Sequence, residues 1–334
     1  MKKPNLFSIA TKELSQDAFI TWLIQWADES YKESNDPLHS IGENFVRFLI
    51  EKRFSTKDLT INKVEAGMQW NNIDIWADIN EEYFIIIEDK IDTGEHDEQL
   101  KRYENIVTDY YGNKRKLIPI YLKTGIESIH TASDIRKKCW EYCGRDEFLN
   151  FLNSQSSPNN IFSDYVSYLN EKNQETNSFS KYENLNSWEA TKGLFVWIQK
   201  SISEWSGWDY VSNPSGGFLG LWFHYIECKQ NPEQEFYLQI ENNCDNKCNL
   251  LIKVAGEWPG DTAYLYDRLE YLYSIASDFG LTISKPSRYR PGEYTSLAII
   301  DGVFSKTNGN LDLENLLQKI KRSMLLVDKL ASNS

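Results

Sequence analysis

The stretch from Ile73 to Lys90, IDIWADINEEYFIIIEDK, constrains the fold more than any other part of the chain. Two apolar runs rich in Ile and aromatic residues flank a polar break at Asn80–Glu82, a pattern that predicts an antiparallel β-hairpin. With the turn centred near Glu81, paired residue numbers add to about 162. Asp74 is then opposite Glu88, and Lys90 opposite Asn72. Side chains alternate faces along a strand, so Asp74, Glu88 and Lys90 share one side of the sheet. The second run, FIIIEDK, is aliphatic enough for a buried central strand. Two facing carboxylates repel, and buried acids need partners. A cation between them meets both demands, and hard carboxylate oxygens suit Mg²⁺ or Mn²⁺. A lysine on the same face can hold or activate water, or steady charge that builds up on a phosphoryl group. Exposed strand faces also carry acids and lysines, so the spacing by itself leaves a solvated surface as the alternative.

The flanking segments place this hairpin in an α/β pattern. SQDAFITWLIQWADESY predicts a buried helix with Ser15 as N-cap. A loop containing NDP follows, and then a second helix over HSIGENFVRFLIEKRF. LTINKVEAGMQW reads as a strand preceding the hairpin. After Gly94 a helix is marked by Leu100, Tyr103, Val107 and Tyr110, with Gln99 and Tyr103 at i and i+4 facing the sheet. KLIPIYLKT is a buried strand and KKCWEYC a weaker one. Two helices, around DEFLNFLNS and IFSDYVSYLNEK, close this half in the order ααβββαββαα. Residues 171–186 are polar and nearly free of aliphatics, and read as a linker or exposed connection. Beyond them come a helix, a three-strand antiparallel meander, a helix ending at Gly280, a strand and a last helix.

The combination of Asp74, Glu88-Asp89-Lys90 at the end of an apolar strand, and GEHDEQLKRY opening a helix resembles the PD-(D/E)XK nuclease superfamily. The bacterial branch opening with ELSQDAF is the most similar. The resemblance covers residues 1–170 and is densest from Gly67 to Tyr103. It implies a restriction-endonuclease-like mixed β-sheet flanked by helices over residues 1–175. A C-terminal α+β domain, 187–334, would follow and serve specificity, a partner or regulation. It further implies a Mg²⁺- or Mn²⁺-dependent endonuclease, acting on DNA or RNA, with a role in prokaryotic defence. Asp74 and Glu88 would be metal ligands, joined by the carbonyl of Asp89 and the first-helix acid Glu13. Lys90 would activate water. Gln99 and Tyr103 would orient the site or contact nucleic acid. Ile73 stands where the family name has proline, and Asp89 where asparagine is common. A non-cleaving binding module on the same fold is the rival reading.

Composition narrows the setting. Acids outnumber Lys plus Arg by 49 to 36, for a net charge of −13, which disfavours indiscriminate binding to phosphate polymers but leaves room for a local basic groove. The five cysteines are scattered, and Cys244 and Cys248 lack a matching pair for zinc, which predicts a reducing cytoplasm. The opening MKKPNLFSIATKELSQ lacks the apolar core of a signal peptide, and no run is long enough to span a bilayer. Asp17 and Glu43 are alternatives to Glu13. His39 and His96 lie near helix starts, where a capping or packing role competes with a ligand role. Lys114–Leu117 and Arg136–Lys138 suit either a phosphate path or a solvated face. The loop KPSRYRPGEY offers Arg288 and Arg290 to phosphates and Tyr289 to a base. NPSGGFLG has two glycines but no lysine, so it is not a phosphate-binding loop. A homodimer or a protein partner stays open.

Overall fold

The computed structural model describes residues 4–94, 98–213, 216–243 and 248–333. The chain folds as two compact units, Met1–Asn173 and Gln174–Ser334.

The first unit begins with helices α1 (Glu13–Gln25) and α2 (Asp36–Glu51). Strands β1 (Val64–Trp70), β2 (Ile73–Ile79) and β3 (Tyr83–Lys90) follow, then α3 (Gln99–Tyr111), β4 (Lys116–Lys123) and α4 (Ile129–Lys137). The unit closes with β5 (Glu141–Gly144), α5 (Arg145–Ser154) and α6 (Asn160–Thr176). The sheet order is β1-β2-β3-β4-β5, antiparallel up to β3 and parallel beyond it. This is the mixed sheet flanked by helices that the sequence predicts.

β3 is central, and all eight of its residues are buried. Ile85 and Ile87 point into a core shared with α1, α2, α5 and α6, while Phe84 and Ile86 point into a second core with α3. Full burial of one such side chain stabilises by about 1.5–3 kcal/mol, so this strand anchors both layers. Its register with β2 is the anticipated one, Ile75 opposite Ile87 and Ile79 opposite Tyr83. The turn between them puts Asn80 and Glu81 at φ 54° and 55°, and Glu82 N–H donates to Ile79 O at 2.9 Å. Asn80 tolerates that conformation and its Oδ1 accepts from the backbone of Asn62 and Lys63.

Several local expectations need correction. Lys12, not Ser15, is at the N-cap of α1. The NDP segment is the start of α2, with Asn35 Oδ1 accepting from Leu38 N–H and Pro37 in the first turn. α4 lies between the last two strands, where no helix is expected. Ile135 is its one buried side chain among the described residues, so it has almost no apolar periodicity to read. Residues 171–186 are not a free linker: α6 runs to Thr176, and two short 3₁₀ segments follow. Leu185 is buried there, and its carbonyl accepts from the Asn242 amide at 2.9 Å.

The second unit contains α7 (Trp188–Ser201), β6 (Ser206–Val211), β7 (Phe218–Glu227), β8 (Gln234–Asn242) and β9 (Cys248–Gly256). It continues with α8 (Thr262–Ile275), β10 (Ile283–Ser284), β11 (Thr295–Ile300), β12 (Lys306–Thr307), β13 (Asn310–Leu311) and α9 (Leu313–Ser332). The meander β7-β8-β9 was legible. The shorter β6, β10, β12 and β13 were not. The six-stranded sheet is antiparallel throughout, in the order β10-β11-β9-β8-β7-β6. Gly280, at φ 65°, ends the 3₁₀ extension of α8 as expected.

α1 and α2 cross at Gly42, where a Cβ would lie 2.6 Å from Ala27 N and 2.9 Å from Leu23 O. Gly42→Ala should therefore lower the unfolding free energy by about 1–3 kcal/mol through overpacking, and the urea midpoint with it. This is the reverse of the gain that alanine gives within an uncrowded helix. Urea titration followed by circular dichroism reads the difference, and an unchanged or raised midpoint would remove the close crossing.

Candidate active site

The β2–β3 ladder ends at Ile75–Ile87, and the charged residues lie just past it. Asp74 reaches back with its side chain, its Oδ2 accepting from Asp89 N–H at 3.1 Å. The same oxygen is 3.8 Å from Lys90 Nζ, and the Lys90 ammonium also touches the Glu88 carboxylate. Glu88 is fully buried, and neither of its oxygens receives a well-formed hydrogen bond. Burial is the larger cause, and the charge of Asp74 the second, that pushes the Glu88 carboxyl up to about 8. For Lys90, burial pulls the other way, but the bond to Glu88 and the charges of Glu88, Asp74 and Glu13 hold it above the usual lysine range. One buried cation is thus shared between two acids.

Asp89 points to the opposite face of β3. It is fully buried, with Oδ1 accepting from Gln16 Nε2 at 2.6 Å. Gln16 Oε1 in turn accepts from Thr124 Oγ1 and Tyr165 Oη, both at 2.8 Å. Asp17 adjoins Asp89; burial first, then the charge of Asp74, pushes Asp17 up to about 7, and Asp89 is raised well above the carboxylate range. The Asp89 side chain therefore belongs to a polar network behind the site, and its backbone carbonyl is what the resemblance assigns to a metal. Glu13 Oε1 accepts from Ile91 N–H at 3.0 Å and Thr93 Oγ1 at 2.9 Å, so this acid secures the backbone just beyond Lys90.

Tyr103 is 1% exposed. Its hydroxyl donates to Asn72 O and accepts from Gln99 Nε2, the latter at 2.7 Å. Asn71 and Asn72 have φ of 51° and 66° in the turn that leads to Asp74. Tyr103 is accordingly placed to hold that turn, and the expected contact of its ring with nucleic acid is corrected by its burial. Gln99 holds the tyrosine.

Sequence reasoning misses Lys123. β3 and β4 are parallel and in register, so Lys123 lies beside Lys90 and Tyr121 beside Glu88. Lys123 is 1% exposed, with Nζ 2.5 Å from Thr93 O and 3.1 Å from Glu127. Tyr121 Oη donates to the same Glu127 carboxylate at 2.9 Å. Both ends of the Ile91–Thr93 segment are thus held, by Glu13 and by Lys123. A lysine closing an apolar strand, as in IPIYLK, is the signal that could have drawn attention to it.

The remaining candidates are elsewhere. Glu43 lies 3.8 Å from both His39 and Arg47 on α2, and His39 is a buried packing residue. Arg115 and Lys116 pair with Asp78 and Glu82, and Lys137 pairs with Asp134. Tyr289 is half-buried: its hydroxyl donates to Leu265 O at 2.6 Å and its ring packs on Tyr266, so it is not free to stack on a base. Arg288 and Arg290 are exposed. Cys139, Cys143, Cys228 and Cys248 are thiols, joined in no disulfide among the described residues, whereas His96 and Cys244 lie outside the described residues. Among the described residues, no three His, Cys, Asp or Glu side chains converge as a metal-holding group, and no helix is long and apolar enough to cross a membrane.

A family model of the PD-(D/E)XK nuclease superfamily matches residues 4–206, more than half of the chain. The chain belongs to that superfamily. No curated protein and no solved structure matches it. PD-(D/E)XK nucleases generally use divalent metal ions. Two features here fit such an ion: a donor set of hard oxygens, and a buried Glu88 carboxylate short of hydrogen bonds.

The raised carboxyls dictate how metal-free protein responds to pH. A group whose folded pKa lies above its unfolded value favours the protonated native state, so stability falls as pH rises between the two. For Glu88 that window runs from 4.5 to about 8, and Asp17 adds a loss from 3.8 to about 7. In EDTA the thermal midpoint should decline from pH 5 to pH 8. Glu88→Gln should flatten the decline and melt higher than the parent at pH 8. A parent midpoint that rises over this range would contradict the arrangement.

Proposed function

We propose that this PD-(D/E)XK protein is a metal-dependent endonuclease that hydrolyses phosphodiester bonds of DNA, in the cytoplasm of a cell defending itself against foreign DNA. The observation that carries the chemical part is the Glu88 carboxylate, buried beside Asp74 and short of hydrogen bonds, with the Lys90 ammonium against both. Asp74 and Glu88 would hold Mg²⁺ or Mn²⁺ as a pair, with the Asp89 carbonyl as a third oxygen. When bound, the ion supplies charge that polarises the phosphoryl oxygens and lowers the pKa of water. Lys90 would orient water for in-line attack and meet the charge that gathers on phosphorus. The charges of Glu88 and Asp74 beside it hold it above the usual lysine range, so it would act as a donor and electrostatic partner. Glu13 and Lys123 fix the backbone segment that follows it, and Gln99 with Tyr103 fix the turn that precedes Asp74. DNA defence is supported by the resemblance of ELSQDAF and the catalytic strand to a bacterial branch of the superfamily, and the cytoplasm by the thiols of Cys139 and Cys143.

Incubation with supercoiled plasmid, linear duplex, single-stranded DNA and RNA, each with Mg²⁺, Mn²⁺ or EDTA, tests the reading. Nicking or linearisation that needs the ion is the expected result. Lys90→Ala should lower the rate by roughly 10²–10³-fold while the circular dichroism spectrum stays that of the parent. Asp74→Asn and Glu88→Gln should also weaken the response to added ion. Cleavage by Lys90→Ala at the parental rate would reject the assignment, and no cleavage of any substrate would favour a non-cleaving binding module.

A further inference from the structure

Three helices of the second unit, α7, α8 and α9, pack against one face of its sheet, on Leu221, Phe223, Leu238 and Ile252. The opposite face of such a sheet is ordinarily polar. Here it carries aromatic rings: Trp205, Tyr225 and Tyr294 are 58%, 39% and 62% exposed. The backbone is shaped to present them. The β7–β8 register shifts between Phe223 and Ile226, and His224 adopts φ 57° within that bulge. The His224 ring turns toward α9, its Nε2 3.0 Å from Met324 O and Asp328 and its Nδ1 3.0 Å from Glu204. Tyr225 is thereby sent to the other face, where it stacks on Tyr237 with centroids 4.7 Å apart and planes 9° apart. Trp205 lies 5.9 Å from Tyr225. Trp222 crosses Gly207, where a Cβ would come 2.6 Å from the indole nitrogen. Thr295, Val254, Phe236 and Ile226 lie in one row across the sheet, so Tyr294, just before Thr295, stands near the level of Tyr225. Tyr294 also ends the loop that exposes Arg288 and Arg290.

We propose that this face is a stacking platform for a single-stranded segment of nucleic acid. The segment would lay its bases on Trp205, Tyr225 and Tyr294 and pass its phosphates along Arg288 and Arg290. The inference rests on the nucleic-acid reading of the first unit. Flat aromatic faces accept unpaired bases of any sequence, whereas a duplex keeps its base faces stacked inside. The acids fit this path. Glu241 pairs with Lys253 at 3.3 Å, while Glu227 and Glu235 lie opposite each other on β7 and β8 beside Tyr225, so phosphate is disfavoured over the tyrosine pair and would run on the side of the loop that carries Arg288 and Arg290. The exposed rings carry polar tips, and among the described residues no large aliphatic side chain is exposed beside them, which suits bases better than an apolar protein surface.

The test uses the full chain in EDTA with fluorescein-labelled oligo-dT of about 20 nucleotides, oligo-U of the same length and a duplex, read by anisotropy. Oligo-dT should bind more tightly than the duplex. Trp205→Ala and Tyr294→Ala should each weaken it roughly tenfold, while Tyr294→Phe, which keeps the ring, should bind as the parent does. Arg288→Ala with Arg290→Ala should reduce the slope of log affinity against log salt by about 0.7 for each lost phosphate contact. Equal binding of oligo-dT by the parent and the alanine variants would overturn the platform, as would the absence of any oligonucleotide binding. Plasmid cleavage with added metal separates the two readings: activity retained by the parent alongside either overturning result leaves the nuclease reading intact and removes only the platform.

Discussion

Everything around the candidate site follows from one electrostatic demand: Glu88 is a fully buried carboxylate placed beside a second acid. Removing such a group from water is costly unless its charge is compensated. Lys90 offsets part of that cost, and it too is buried. Two acids and one cation leave the cluster short of positive charge. A divalent ion and the metal-free protonated state are two ways of closing the same deficit. The apolar strand that forces the burial therefore also creates the deficit.

The alternation of β3 divides the labour between the two faces of the sheet. Glu88 and Lys90 project toward the site, while Asp89 projects backward onto Gln16, which also gathers Thr124 and Tyr165. That rear network joins α1, β3, the end of β4 and α6, so four elements fix the height of one strand end. Glu13 and Lys123 then hold the exit from the strand, and Tyr103 the entry to β2. A cluster of like charges keeps its geometry because its backbone is tied at each point where repulsion would displace it.

How much could be read in advance depended on the reach of the forces involved. The hairpin, its register and the shared face of Asp74, Glu88 and Lys90 were legible because period-two alternation and a short turn are local. The acid–lysine motif and the Gln99–Tyr103 spacing were legible for the same reason. Lys123 was not, since its neighbour Lys90 is reached only through the parallel β3–β4 pairing, which no local pattern records. The bonds from Ile91 and Thr93 to Glu13 were not legible either, because those partners are distant from it in sequence. Residues 171–186 misled because polarity on the exposed side of a helix end looks like polarity in a linker. The exposure of Trp205 and Tyr294 was also hidden: each stands just before a strand, where no alternation fixes its side, and the side taken by the neighbouring Tyr225 is set by the bulge at His224.

The turn at Asn80–Glu82 has a consequence for how this chain can change over time. Its residues are on the surface, where Glu81 and Glu82 pair with Lys63 and Lys116, and substitutions there are tolerated as long as positions 80 and 81 both accept positive φ. Its length is another matter. Adding or deleting a single residue shifts β3 by one step, which sends Asp89 to the face that now carries Glu88 and Lys90, and those two into the rear network. Most surface turns drift freely in length among related proteins. This one is under the same restriction as a reading frame, since its count, and not its chemistry, decides which side chains arrive at the site.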